Sequence, residues 1–101
     1  MMNLQSILDT ITLHKDEIHQ FGIRQIGIFG SLMTGTNTAE SDIDLLLDFE
    51  PQKKTYRNFY NGTELLESLL KRPIDAVTPQ ALSPHIKPYV DSQITYVQIA
   101  N

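Results

Sequence analysis

The sequence predicts a mixed α/β protein of the α+β kind, a β-sheet flanked by helices, and three observations carry that expectation. Residues 23–29 and 43–49 have the apolar content and spacing of strands, with a shorter third segment at 74–77. Residues 3–21 and 55–71 instead repeat apolar side chains every three or four positions, as amphipathic helices do. The two kinds of segment interleave along a chain of 101 residues, so one domain over 1–101 is expected. A chain of this size buries roughly two-thirds of the surface it exposes unfolded, enough for one core.

In chain order, Leu4, Ile7, Leu8, Ile11, Ile18 and Phe21 form the apolar stripe of a first helix. Asn3 stands where a cap is needed, and Gly22 where a left-handed terminating residue is wanted. His14 and His19, five positions apart, fall on different faces and are expected at the surface. A strand over Ile23 to Phe29 follows, with Ile26 and Ile28 alternating against Gln25 and Gly27. Gly30-Ser31 ends it, Ser31 to Thr34 can open a short helix, and Gly35 to Ser41 is rich in turn formers. In the strand Ile43 to Phe49, three consecutive leucines predict burial on both faces.

Pro51 closes that strand, and Lys53 and Lys54 mark an exposed connection. Tyr56, Phe59, Tyr60, Thr63, Leu66 and Leu70 predict a helix over 55–71 whose stripe packs on the sheet. Core packing is the expected role of Tyr56, Phe59 and Tyr60, with partner docking as the alternative. Gly62 inside this helix costs ~1 kcal/mol relative to alanine. Pro73 opens the strand Ile74 to Val77. Pro79, Pro84 and Pro88 then divide the chain into short turns, with a helix expected at about 85–92. Ile94 to Ile99 reads as a last strand or an irregular tail.

Composition excludes several functions. Without cysteine there is no disulfide, no thiolate metal site and no cysteine nucleophile. Formal net charge is −4, and the eight Lys and Arg form no basic stripe of the kind that grips a phosphate backbone, so direct polynucleotide binding is not expected. No apolar run approaches the ~20 residues that span a membrane, and no secretory signal stands at the N-terminus, so the cytoplasm is the expected compartment.

The chemistry concentrates between Gly30 and Phe49. Asp42 and Asp44 are two apart, so a strand projects both to one face, directly ahead of a buried leucine run where charge needs a reason. Adjacent carboxylates repel, and a divalent cation between them removes the repulsion. Oxygen-only ligands suit Mg²⁺, which keeps water and substrate phosphates in its shell. The Gly30-Ser31 turn, after a strand and before a helix start, offers backbone N–H groups and a hydroxyl to phosphate. Gly30 and Gly35 have the spacing of a P-loop, but Thr36 replaces its lysine, which sets that family aside. Asp75, between Ile74 and Ala76, is the candidate third carboxylate; Asp48, four residues past Asp44, lies at the wrong end of its strand.

Gly30-Ser31, ten residues, then Asp42-Ile43-Asp44 and a leucine run resembles the signature of the minimal nucleotidyltransferases of the DNA polymerase beta-like superfamily. The resemblance extends over most of the chain, including Ile74-Asp75-Ala76-Val77 and Ala81-Leu82-Ser83-Pro84-His85-Ile86. It implies that Gly30 and Ser31 hold a triphosphate and that Asp42, Asp44 and Asp75 ligate a pair of Mg²⁺ ions, with Asp75 as possible base. It further implies adenylyl transfer from ATP to a tyrosine of a helical HEPN-family toxin, an RNase, for which such small members act as antitoxins. Leu32 and Thr34 stand where many relatives carry arginine; Lys53, Lys54, Arg57 or a partner residue could substitute in neutralising the phosphates, and the sequence does not choose among them.

The chain ends about 26 residues beyond Asp75, which leaves no room for an acceptor domain, so the acceptor is expected in trans and as a protein. Two alternatives remain at this level. One is an inactive nucleotidyltransferase fold that neutralises a partner by contact; the other is transfer to a small hydroxylated molecule.

Overall fold

The computed structural model describes residues 3–35 and 41–100, leaving aside the side chains of Ser31 and Thr34. Helix α1 (Leu4–Leu13) begins at Asn3, whose side chain accepts from the Ser6 N–H at 2.9 Å while the Asn3 N–H donates to Ser6 Oγ at 3.1 Å. The expected single helix over 3–21 is in fact two. At His14 (φ −110°, ψ 24°) the chain leaves helical geometry, and α2 (Lys15–His19) continues as a separate element. The break lets Ile18 reach the same core as Ile7 and Ile11; all three are fully buried.

Strands β1 (Ile23–Phe29) and β2 (Ile43–Phe49) match the sequence reading to the residue, with α3 (Ser31–Thr34) between them. Helix α4 (Tyr56–Leu70) starts at Thr55, which caps the Asn58 N–H at 3.1 Å, and ends at Lys71 with φ +57°. Strand β3 (Ile74–Val77) follows, then α5 (Lys87–Asp91) and β4 (Thr95–Gln98). The last segment is therefore a strand, and Pro88 rather than Pro84 occupies the opening turn of the helix before it. The expected turn at Gly35 to Ser41 falls mostly outside the described residues.

The four strands form a mixed sheet in the order β3-β2-β1-β4. β1 runs antiparallel to both β2 and β4, while β2 and β3, joined through α4, are parallel. Ile43, Leu45, Leu47 and Phe49 of β2, with Ile26 and Ile28 of β1 and Val97 of β4, build the core with Ile7, Ile11, Leu66 and Leu70 from the helices. Leu46 projects the other way and is still buried, as the triple leucine predicts. Among the described residues no helix is long and apolar enough to cross a membrane.

The helical glycine has a packing reason. A Cβ on Gly62 would stand 2.9 Å from Ile23 Cδ1 and 3.7 Å from Phe21 Cβ, in a fully packed place. Gly62→Ala gains ~1 kcal/mol of helix propensity but overpacks the core, which typically costs about 1–3 kcal/mol. The expected net result is destabilisation of about 1 kcal/mol, read as a lower thermal midpoint. A rise would show that Ile23 yields freely.

The α4 stripe is narrower than its sequence suggests. Leu66 and Leu70 are buried and Phe59 packs against the core, 6.3 Å from the Phe49 ring, but Tyr56 is 84% and Tyr60 52% exposed. These tyrosines do not belong to the core. At 100° per residue they sit roughly 70° and 110° round from the centre of the buried face, outside its arc.

Candidate active site

Sheet register assembles the carboxylates. Asp44 of β2 pairs with Asp75 of β3 in the parallel ladder and with Phe29 of β1 in the antiparallel one. Residues in register on neighbouring strands point to the same face, so Asp44 and Asp75 are side by side on the face away from the main core. Asp42 immediately precedes β2, two positions before Asp44, the spacing that returns a side chain to one face. Asp44 is half-buried; Asp42 and Asp75 are exposed.

The entrances of the two carboxylate strands are tied together. The Ile43 N–H donates to the Pro73 carbonyl at 3.0 Å, and the Ile74 N–H to Glu67 Oε2 at 3.0 Å. The Arg72 guanidinium donates to the Ser41 carbonyl, one residue before Asp42. Arg72 is thus a cation held at this end of the sheet, and sequence reasoning missed it. Lys53, Lys54 and Arg57 stand at the opposite end, which corrects the expectation for them. Glu50 N–H bonds the Gly22 carbonyl at 2.8 Å, a Cβ on Gly22 would strike Lys53 Cβ, and Lys54 Nζ donates to Gln80 at 2.7 Å. Asp44 to Phe49 is five residues, about 17 Å of strand, beyond the reach of a lysine stem.

Gly30 adjoins Asp44. It takes φ +80°, a left-handed conformation, and a Cβ there would lie 2.7 Å from Asp44 Cγ and closer still to Oδ2. Its N–H, expected to face a phosphate, donates to Gln93 Oε1 at 3.2 Å, and its carbonyl accepts from the Met33 N–H at 3.0 Å. Gln93 reaches in from between α5 and β4, and nothing in the local sequence marks it. The expected hydroxyl contribution of Ser31 lies outside the described side chains. Because α3 is a single turn, its dipole is small, and the backbone N–H groups matter more than the field.

Among the described residues no three His, Asp or Glu side chains stand close enough as they are to hold a metal ion. The donor set itself fits Mg²⁺: carboxylate oxygens only, with Asp42 and Asp75 exposed to the water that Mg²⁺ keeps in its shell. Asp48, at the far end of β2, is held by Arg24 at 3.4 Å. His14 pairs with Glu17 and His19 with Glu50, each at 2.7 Å, as surface histidines do. A concavity of about 1080 Å³ lies at that far end among His19, Arg24, Asp48 and Glu50, whose polar groups already satisfy one another.

A glycine turn after β1, facing carboxylates on the parallel pair β2 and β3, is the framework of a nucleotidyltransferase. Residues 11–96 match the family model described as Nucleotidyltransferase domain, and the chain belongs to that family. It is 37% identical over 98 residues to protein adenylyltransferase MntA of Thermococcus cleftensis, covering 96% of this chain and 98% of the relative. It is similar to a solved structure described as a minimal nucleotidyltransferase, with TM-score 0.67 and 26% identity over 93% of this chain and 95% of that one. It also shares its fold with a Shewanella oneidensis structure, the tri-AMPylated HEPN toxin in complex with MNT antitoxin. The TM-score there is 0.52 and the identity 19%, over 87% and 70% of the two chains.

Proposed function

We propose that this chain, acting over residues 1–101 as one minimal nucleotidyltransferase domain in the cytoplasm, transfers AMP from ATP to a tyrosine hydroxyl of a HEPN-family RNase toxin and so serves as its antitoxin. The observation that carries this reading is the parallel register that sets Asp44 beside Asp75, with Gly30 packed on Asp44. The adenylyltransferase name of the Thermococcus relative and the AMPylated toxin in the Shewanella complex support the reaction and the acceptor.

Asp42, Asp44 and Asp75 would hold a pair of Mg²⁺ ions. The chemistry these ions would supply is neutralisation of the triphosphate and of the charge that develops at the α-phosphate. The chain's own groups do the rest. The Gly30 turn, free of a side chain, lets the triphosphate approach the backbone beside Asp44. Arg72 adds fixed positive charge at the Ser41 end. The tyrosine oxygen attacks the α-phosphorus in line, forming one P–O bond as the bond to the α,β-bridging oxygen breaks. Pyrophosphate leaves with that electron pair, and Asp75 accepts the phenolic proton. The modified tyrosine gains bulk and a negative charge, which repels RNA.

Incubating a purified HEPN-family protein from the same genome with this chain and ATP labelled at the α-phosphate tests the reaction. Label is expected on the toxin, and replacing the acceptor tyrosine by phenylalanine should remove it. Label that persists in every tyrosine variant would contradict the assignment.

A further inference from the structure

Helix α4 leaves one flank uncovered, and that flank has a definite shape and charge. The Tyr56 and Tyr60 rings stack with centroids 6.5 Å apart and 17° between planes, in solvent. Together with Phe59, Thr63, Glu64 and Glu67 they line a furrow of about 180 Å³. Glu67 also borders an adjoining hollow of about 310 Å³ with Lys71, Arg72 and Pro73, so the furrow continues to the entrance of β3. Its aromatic end lies about 21 Å from its other end along α4. That other end is where Glu67 bonds the Ile74 N–H and Arg72 bonds the Ser41 carbonyl, Ile74 and Ser41 each standing one residue ahead of Asp75 and Asp42 in the chain.

Two exposed, mutually stacked tyrosines contribute nothing to the core and keep apolar area in water. Tyrosine of this kind is enriched at binding surfaces, where a rigid ring with a polar tip anchors a partner. Charge selects the partner. Glu64 is exposed and lines the furrow with Tyr60, whose phenol pKa it pushes up from the ordinary value, and Glu67 lies one turn further on. Two carboxylates beside two π-faces repel ATP and RNA but attract a guanidinium or ammonium on an apolar stem.

We propose that this furrow docks the protein acceptor through a segment that places an arginine or lysine between the Tyr56–Tyr60 rings and Glu64, and so steers the reactive hydroxyl to Asp75. The acceptor's identity rests on the function proposed above; the furrow's role rests on its own geometry.

The test measures binding of the HEPN-family protein and ATP separately, on wild type, Tyr56→Ala/Tyr60→Ala and Glu64→Lys. Each variant is expected to weaken binding of the protein about tenfold or more and raise its KM, with ATP affinity and the circular dichroism spectrum unchanged. Glu64→Gln should fall between wild type and Glu64→Lys, a graded response that loss of packing does not produce. Variants that bind and modify the toxin like wild type would overturn the proposal while leaving the proposed reaction standing. Wild type that binds the toxin through these residues without modifying it would sustain the furrow and contradict the reaction. A wild-type dimer that the tyrosine variant dissociates would assign the furrow to a second copy of this chain and overturn the acceptor docking.

Discussion

Asp44→Asn is expected to lower AMP transfer about 1000-fold or more while leaving the protein folded. Asp44 lies at the centre of the arrangement, beside Asp75 in the ladder, two positions after Asp42 and against Gly30. Asparagine keeps its shape but removes the charge that a divalent cation needs, and losses of charge stabilisation at a reacting centre typically cost about 10²–10³ each. Here both the cation and the triphosphate it escorts depend on the group, so the losses compound. Stability follows a different course. Asparagine has nearly the same shape as aspartate and Asp44 is only half-buried, so unfolding free energy should stay within about 1 kcal/mol of wild type. Activity and thermal midpoint measured on one preparation separate the two effects. An active Asp44→Asn enzyme would move the chemistry away from this face.

Gly30→Ala is expected to damage both properties. Gly30 holds φ +80°, where an L-residue costs about 1–2 kcal/mol. The added methyl would also point at Asp44, 2.7 Å from its Cγ, so the carboxylate must swing away or the turn must open. Either movement displaces a reacting group by about 1 Å, which is enough to cost on the order of 100-fold in rate. A lower thermal midpoint together with a fall in kcat is the expected pair of results. Normal kcat with lost stability would mean that the turn supports the fold without contributing to the reaction.

Much of this was legible in the sequence because the relevant patterns are local. Alternation in Ile26 and Ile28 and the leucine run after Asp44 set β1 and β2 to the residue, and Asn3 marked the first cap. Asp42, Asp44 and Asp75 stood out because aspartates next to core strands need a reason. What the sequence could not convey was which end of the sheet each segment reaches. Lys53, Lys54 and Arg57 follow β2 closely in the chain, yet β2 has by then carried the backbone to the end remote from Asp44. Arg72 reads as an ordinary turn residue until the parallel pairing of β2 and β3 brings it to Ser41. Gln93 reaches the Gly30 N–H only through the antiparallel return of β4. Tyr56 and Tyr60 fit a three-and-four spacing but fall at the margin of the buried arc, a distinction that needs the sheet's position. His14 broke a helix whose polar centre gave no warning.

The most direct test of the central claim is intact-mass analysis of a co-expressed, purified HEPN-family protein after incubation with this chain, ATP and Mg²⁺. An Asp42→Asn/Asp44→Asn variant runs beside it. The account predicts a mass gain of one or more adenylate units with wild type and none with the variant. No gain, with wild type and variant forming an equally tight complex, would contradict it and leave a protein that neutralises its partner by contact alone.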